Sequence, residues 1–228
     1  MSHHEHHLRN SDTITDIVIG MSDGLTVPFA LTAGLSSVLD STHLILISGL
    51  AEIAAGSVAM GLGGYLAGQT EIEHYDSELK KEYEEIELIP DKEIQEVADV
   101  FIEYGLTPER SHEIAIEISQ DKDKWVEFMM RFELGLEKPH EHRGIKSGLT
   151  IATAYIVGGI IPLSPYAFVA TNQEGFYYSC ILTTLCLFVF GFYKSKMTGQ
   201  APIKGALKVT AIGIVAAATA FFIAKLIS

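Results

Sequence analysis

The chain alternates between long apolar stretches and shorter polar ones, and five of the apolar stretches are about as long as a membrane is thick. An α-helix needs about 20 mostly apolar residues to cross the roughly 30 Å hydrocarbon core of a bilayer. The stretches that meet or approach this length are Ile14 to Val38, Leu44 to Gly68, Ser147 to Ala170, Phe176 to Tyr193 and Gly205 to Ile227. The pattern predicts an all-α polytopic membrane protein with five transmembrane helices.

A polar insert separates the second predicted span from the third. Its apolar residues recur at helical spacing, which predicts helices at Glu71 to Leu88, Lys92 to Tyr104, Pro108 to Ser119 and Asp121 to Leu136. We expect the first of these helices to run directly out of the second span. The expected domains are a His-rich tail (1–13), two spans (14–68), the helical insert (69–146) and three spans (147–228).

The insert carries the whole charge imbalance of the protein. Glu71 to Arg143 contains 22 acidic and 9 basic residues, whereas the full chain contains 29 acidic and 16 basic residues. The rest of the chain therefore carries as many acids as bases. So much negative charge beside a membrane favours cations as partners and excludes nucleic acid.

Lysines indicate how the predicted spans are oriented. The loop between the fourth and fifth spans holds four lysines and no acid: Lys194, Lys196, Lys204 and Lys208. The two loops on the opposite side hold only Asp40 and Glu174. Because positively charged loops stay in the cytoplasm, the N-terminus and the insert are expected there, and the C-terminus on the other side.

Besides Asp16, near the start of the first predicted span, two acids lie well inside the first two predicted spans. Asp23 is near the middle of the first span, where an ionisable side chain costs about 2.5 to 3.5 kcal/mol on insertion scales. Glu52 lies in the second span, and Met60 follows it on broadly the same side of the helix. An internally paired acid and a glycine packing seam around Gly56 are the structural alternatives. The coincidence of two acids and a thioether favours an ion pathway.

Three groups of candidate ligands stand out in the insert. They are the pair Glu82 and Glu85, the pair Glu93 and Glu96, and the run Met129, Met130 and Glu133. Like charges at this spacing cost a helix a few tenths of a kcal/mol per pair, and a bound divalent cation reverses the sign. A solvated helix face is the alternative for either Glu pair. Thioether with carboxylate suits a transition metal better than magnesium or calcium.

Carboxylates must lose their protons before they bind a metal, so that loading a metal expels protons and protonation expels the metal. This linkage predicts a proton antiporter for divalent metals. A carrier of magnesium or calcium is a second possibility.

A membrane-anchored di-iron carboxylate oxidase or iron-binding protein is a rival of another class. Glu71 and His74, and likewise Glu109 and His112, have the Glu-x-x-His spacing of ferritin-like sites. Such a site needs four long facing helices, whereas prolines and a glycine divide this insert into short ones. An oxidase also leaves the intramembrane acids unexplained.

Four longer motifs stand out: GMSDGLTVPFALTAGLS (Gly20 to Ser36), LAEIAAGSVAMGLGGYLA (Leu50 to Ala67), FMMRFELGLEKP (Phe128 to Pro139) and AYIVGGIIPLSPY (Ala154 to Tyr166). They resemble motifs of the vacuolar iron transporter family, in its subgroup with a cytoplasmic metal-binding insert. The resemblance implies a homodimer of five-span protomers that moves Fe²⁺ out of the cytosol in exchange for protons. Mn²⁺, Co²⁺, Ni²⁺ and Zn²⁺ are further expected ions, and no prosthetic group is expected.

The resemblance also assigns roles by motif. It implies a transport pathway through Asp23, Glu52 and Met60. The implied metal ligands of the insert are Glu82, Glu85, Glu93, Glu96, Met129, Met130 and Glu133. The membrane is expected to be vacuolar in a eukaryote, or the plasma membrane in a bacterium. The cluster His3-His4-Glu5-His6-His7 lies outside the family motifs and is expected to be a disordered tail with at most weak metal affinity.

Overall fold

A computed structural model describes residues 11–228, and the predicted His-rich cluster at residues 3–7 lies outside them. The helices are α1 (Ser11–Ser36), α2 (Thr42–Leu88), α3 (Pro90–Glu103), α4 (Pro108–Ser119), α5 (Lys122–Phe128), α6 (Arg143–Leu163), α7 (Asn172–Met197) and α8 (Pro202–Ile227). A π-helix at Met129–Glu133 follows α5, and a 3-10 turn at Ser164–Ala167 follows α6. Residues 11–228 contain no strand, so the all-α prediction is confirmed.

Five of the helical segments are long and apolar enough to cross a membrane. They are Asp12–Ser36, Thr42–Leu88, Arg143–Ala167, Asn172–Met197 and Pro202–Ile227. Much of their apolar surface is uncovered. In α8, for example, only 17% of the most apolar 18-residue segment is buried. Such long, outward apolar faces are unfavourable in water and typical of helices surrounded by lipid.

The chain forms two compact units. The membrane unit comprises residues 11–66 of the described chain together with Gly144–Ser228, and the insert unit comprises Ala67–Arg143. Helix α2 runs without a break from Thr42 to Leu88 and therefore contributes to both. This continuity agrees with the sequence, which has no helix breaker between the second apolar stretch and Pro90.

In the membrane unit α8 packs against α1 and α7. A polar contact holds the end of α1: the Asn172 side chain donates hydrogen bonds to the carbonyls of Ser36 at 2.9 Å and Leu39 at 2.6 Å. These carbonyls follow the last full turn of the helix and lack intrahelical donors. Asn172 therefore satisfies the C-terminal end of α1 from the first turn of α7.

The insert unit has its own apolar core. The second half of α2 and helices α3 to α5 contribute to it with Ile86, Val97, Ala98, Ala115, Trp125, Val126, Met129 and Met130. An ion pair between Glu71 and Arg143, with 3.3 Å between the nearest atoms, links the two ends of the unit. A core of this kind, at helical spacing along several short helices, accounts for the amphipathic pattern of the sequence.

The predicted helix from Asp121 to Leu136 is wrong in its second half. Helix α5 ends at Phe128, and the next turn is a π-helix in which the N–H of Leu134 donates to the carbonyl of Met129 at 3.0 Å. Gly135 then takes a left-handed conformation with φ of 66°. The wide turn holds one extra residue, a feature that periodicity in a sequence does not reveal and that recurs at functional sites.

Candidate metal sites

Helix α1 approaches α6 closely at the turn that carries Asp23. Gly24 lies directly against the backbone of Tyr155, with no room for a Cβ atom, and Gly20 lies likewise against the backbone of Ile151. Small residues are what allow two helix backbones to come this close. The contact places Tyr155, in the middle of α6, beside the turn of α1 that carries Asp23.

Tyr155 also reaches α2, where its hydroxyl donates a hydrogen bond to Oε1 of Glu52. The ring fits because position 56 is glycine: a Cβ there would overlap the Tyr155 ring and hydroxyl. The second oxygen of the carboxylate, Oε2, is buried and has no hydrogen-bond partner among residues 11–228. Glu52 thus has one oxygen fixed by the protein and one free to take a proton or an ion.

Asp23 is half-buried and interacts electrostatically with Tyr155, as Glu52 does. Pro28, inside α1, has no N–H to donate to the carbonyl of Gly24, next to Asp23. The helix nevertheless continues to Ser36. The structure therefore brings Asp23 and Glu52, from different helices, close to Tyr155. The Gly24 carbonyl, next to Asp23 in α1, lacks its usual helical donor.

Met60 lies two turns beyond Glu52 on α2. Glu52, Gly56, Met60 and Gly64 follow one another at intervals of four residues and so form one row on the helix. Gly56 faces Tyr155, and Gly64 faces the side chain of Ile151, both on α6. Met60 is half-buried between these two contact points and belongs to the side of α2 that faces α6.

Sequence reasoning missed two residues in this region. Tyr155 was not selected, although a tyrosine three residues before a pair of glycines within an apolar span is a usable signal. Asp16 is only 4% exposed and lies seven residues before Asp23, which is two turns away on nearly the same face of α1. It lies near the start of the first apolar stretch and is not among the candidates selected from the sequence.

In the insert unit, three of the predicted ligands come together. One oxygen from each of Glu82, Glu85 and Glu93 lies within 4.8 Å of the others, and we call these residues the carboxylate cluster. Glu82 and Glu93 are 3% and 1% exposed. Oε2 of Glu82 and Oε1 of Glu93 have no hydrogen-bond partner within the described chain. Buried carboxylate oxygens without donors are costly unless a cation or a proton neutralises them.

Burial and mutual repulsion hold protons on this cluster. Burial, and after it the charges of Glu133 and Glu85, raise the pKa of Glu82 to about 7. Burial likewise raises the pKa of Glu93 to about 7, with Glu96 as the next contributor. A divalent cation would remove both causes at once, because it replaces the lost solvation and screens the like charges.

The remaining predicted ligands surround the cluster in different ways. Glu96 is half-buried and Glu133 is exposed. Their charges nevertheless raise the pKa values of the buried carboxylates: Glu133 acts on Glu82, and Glu96 acts on both Glu82 and Glu93. Met129 and Met130 are fully buried and pack in the core with Ile86, which lies one turn after Glu82 on α2. The structure thus joins Glu82, Glu85 and Glu93 directly, and the two methionines belong to the apolar core of the same unit.

The raised pKa values predict that the metal-free protein loses stability as pH rises. Glu82 and Glu93 have an ordinary pKa of 4.5 and a folded-state pKa of about 7. Between these values the folded insert holds protons that the unfolded chain has released. The stabilisation that these bound protons give the folded insert is therefore complete below about pH 4.5 and is lost as the pH rises through about 7. The free energy of unfolding falls by on the order of 2 kcal/mol over this range.

Hydrogen-exchange protection of the peptides around residues 82–96, corrected for the intrinsic pH effect, measures this loss in the full chain with chelator present. Protection should fall between about pH 5 and pH 8, and saturating Mn²⁺ should restore it. Protection that stays constant across this range would show that the two carboxylates are not neutral in the folded protein.

The residues of the rival oxidase hypothesis do not assemble. Glu71, His74, Glu109 and His112 are all exposed. Of the residues that the structure describes, the group of three or more acids, histidines and cysteines close enough to share an ion is the carboxylate cluster, and it contains none of these four. The two Glu-x-x-His pairs therefore lie on the surface of short helices, as solvated side chains do.

The sequence of the chain matches the VIT family over residues 14–225. It is 48% identical to the vacuolar iron transporter of Centaurea cyanus over 223 residues, which cover 98% of this chain and 91% of that protein. Vacuolar iron transporter 1 of Arabidopsis thaliana is 44% identical over 228 residues, with 100% and 91% covered. Protein CCC1 of Saccharomyces cerevisiae is 40% identical, with 94% and 69% covered. These matches confirm the resemblance on which the predicted roles rest.

Proposed function

Because this chain belongs to the VIT family, we propose that it carries Fe²⁺ out of the cytosol across the vacuolar membrane, in exchange for protons. In this proposal α1, the first half of α2, α6, α7 and α8 span the bilayer. The N-terminus and the insert face the cytosol, in keeping with the lysines in the last turn of α7 and in the first turns of α8. Two copies form the functional unit, as the family resemblance implies.

The observation that carries the proposal is the state of Glu52. It lies in a segment apolar enough to span a membrane, where an acid is expensive and functional by default. Tyr155 holds one of its oxygens, and the other is buried without a partner. Since no group among residues 11–228 donates to this second oxygen, we assign it to a proton and a metal ion in alternation.

Coupling follows from this competition. With Asp23 and Glu52 deprotonated, the two negative charges attract a divalent cation, and the Gly24 carbonyl, to which Pro28 cannot donate, is a further oxygen ligand. On the acidic side of the membrane the same carboxylates take up protons and release the ion. One ion out and protons back is antiport, and its direction is set by the pH difference.

The acidic insert acts before the membrane step in this scheme. Its excess of carboxylates raises the concentration of divalent cations near its surface, and the carboxylate cluster binds them individually. Ligands of oxygen with nearby thioether sulfur suit first-row ions, so Mn²⁺, Co²⁺, Ni²⁺ and Zn²⁺ are proposed as further ions. The insert thereby buffers metal on the side from which transport begins.

The relatives are named transporters, and the chain is not an enzyme. The oxidase hypothesis is set aside on this ground and on the surface position of its four residues.

Reconstitution in liposomes tests the proposal. Vesicles that are acidic inside receive Fe²⁺, Mn²⁺, Zn²⁺ or Ca²⁺ outside, while a dye reports the internal pH. We expect Fe²⁺ to accumulate and the interior to become less acidic in proportion, and Ca²⁺ to do neither. Metal uptake that does not depend on the pH gradient would refute antiport, and equal uptake of Ca²⁺ would refute a transition-metal carrier.

Replacing Met60 with leucine should change selectivity more than folding. The two side chains have similar volumes, so the packing cost is expected to stay under about 1.5 kcal/mol. Loss of the sulfur should lower uptake of Fe²⁺ and Co²⁺ severalfold and leave any residual uptake of hard ions such as Mg²⁺ unchanged. Initial rates in the same liposomes measure the effect, and Met197→Leu, on an exposed position of α7, is the matched control. An equal reduction for every ion would mean that the sulfur is not a ligand.

A further inference from the structure

A lysine lies against the carboxylate cluster. Nζ of Lys92 is 2.6 Å from Oε1 of Glu96 and 3.8 Å from Oε1 of Glu93. Glu93 Oε1 is the same buried oxygen that lacks a hydrogen-bond partner in the described chain. The lysine stem leaves the first turn of α3 and is 62% exposed, whereas Glu93 is 1% exposed. The ammonium thus sits at the mouth of the cluster, at ion-pair distance from two of its predicted ligands.

This contact differs from an ordinary surface ion pair. Lys80 and Glu84 on α2 have the same four-residue spacing, but both are largely exposed and their charged atoms are 3.7 Å apart. Lys92 also approaches a carboxylate that water does not reach. Attraction between charges at about 4 Å grows several-fold as the surroundings become less polar. Lys92 is therefore the stronger electrostatic partner of the two lysines.

An ammonium and a divalent cation cannot both occupy this position. A metal ion bound by Glu82, Glu85 and Glu93 would lie within a few ångströms of Nζ, where two positive charges repel each other strongly. Lysine is suited to yield, because its ammonium sits on a flexible four-carbon stem. Its exposure leaves water on the other side, so the head group can swing out at little cost.

We propose that Lys92 is a built-in competitor of the metal, whose ammonium neutralises Glu93 and Glu96 until a divalent cation enters the carboxylate cluster and displaces it. The inference rests on the proposed metal-binding role of that cluster. Lys92 keeps the cluster's affinity moderate, since each ion must first break the lysine contact. Moderate affinity lets the insert load only when cytosolic metal is abundant and release the ion for transport.

Binding of Mn²⁺ to the full-length protein in detergent tests the proposal. The calorimetry is carried out at about pH 8, where the carboxylates are ionised. We expect Lys92→Gln to bind Mn²⁺ about five- to tenfold more tightly than the wild type. The substitution removes both the ion pair that competes with the metal and the repulsion between the ammonium and the metal ion. Gln is as good a helix former as Lys, so α3 should be preserved. Lys80→Gln, with the same loss of charge on an exposed pair, should change the affinity less than about twofold.

Displacement itself is measured by amine-reactive labelling with mass spectrometry. The labelling rate of Lys92 should rise severalfold when Mn²⁺ is added, while that of Lys80 stays constant. Unchanged labelling overturns displacement even where the affinity changes. Equal affinities of the Lys92→Gln and Lys80→Gln proteins, or weaker binding by Lys92→Gln, overturn the competition. A wild-type protein without saturable Mn²⁺ binding refutes the proposed metal role of the cluster, and the inference with it.

Discussion

Replacing Glu52 with glutamine is expected to abolish iron transport while leaving metal binding by the insert intact. Gln keeps the oxygen that accepts the hydrogen bond of Tyr155, so the contact between α2 and α6 should survive. It removes the negative charge and the exchangeable proton of the oxygen that has no partner. Because loss of a ligand exceeds the 10- to 100-fold effect typical of its supporting hydrogen bonds, uptake should fall by about a hundredfold or more.

Fe²⁺ uptake and internal pH are measured together in acidic-inside liposomes. Glu174→Gln removes an exposed acid of the same unit, at the first turn of α7, and should transport normally. Tyr155→Phe keeps the Glu52 charge but removes its hydrogen bond, and should lower the rate by about tenfold. Wild-type uptake with normal proton counterflow in the Glu52→Gln protein would exclude this carboxylate from the pathway. Calorimetry with Mn²⁺ shows whether the insert unit of an inactive variant is still folded.

Glu93→Gln is expected to weaken metal binding by the insert and to stabilise the metal-free protein. Glu93 is 1% exposed, and burial with repulsion from Glu96 raises its pKa to about 7. A neutral amide avoids the cost of that buried charge, so the free energy of unfolding at about pH 8 should increase by roughly 1–2 kcal/mol. Mn²⁺ affinity should fall by at least about tenfold, because the cluster loses one of three carboxylates.

Metal affinity should fall while metal-free stability rises, and this combination distinguishes a metal ligand from a residue that only supports the fold. Chelator-treated protein should melt at a higher temperature in the variant than in the wild type, and saturating Mn²⁺ should reverse the order. Glu113→Gln, which removes an exposed charge from α4, should alter neither quantity by much. A variant that is less stable without metal would show that Glu93 supports the fold. Unchanged Mn²⁺ affinity would remove it from the ligand set.

Much of the candidate chemistry was visible in the chain itself. An acid within an apolar stretch is conspicuous, so Asp23 and Glu52 could be selected before any contact was known. The Glu pairs of the insert were visible as repeated i,i+3 spacings, and the structure joins Glu82, Glu85 and Glu93 in one cluster. The roles of all these residues in transport stay predictions.

The partners of these acids were not visible. Tyr155 is 103 residues from Glu52, and no local pattern connects the two. Lys92 was not among the candidates selected from the sequence. The π-helix at Met129–Glu133 depends on hydrogen bonds one residue longer than those of the α-helix, so residues that share a face there differ from those that α-helical periodicity suggests.

The sequence by itself determined the elements: all-helical structure, long apolar segments and an acidic insert. These properties are sums over neighbouring residues, since the transfer of each side chain to lipid or water depends mainly on its own chemistry. Only the tertiary structure decided which side chains meet. Gly24 and Gly56 admit Tyr155 because their missing Cβ atoms bring α1, α2 and α6 into contact, and burial between helices is what makes the carboxylates of Glu82 and Glu93 hold protons. Close packing and desolvation arise only in an assembled interior, so local patterns along the sequence do not reveal them.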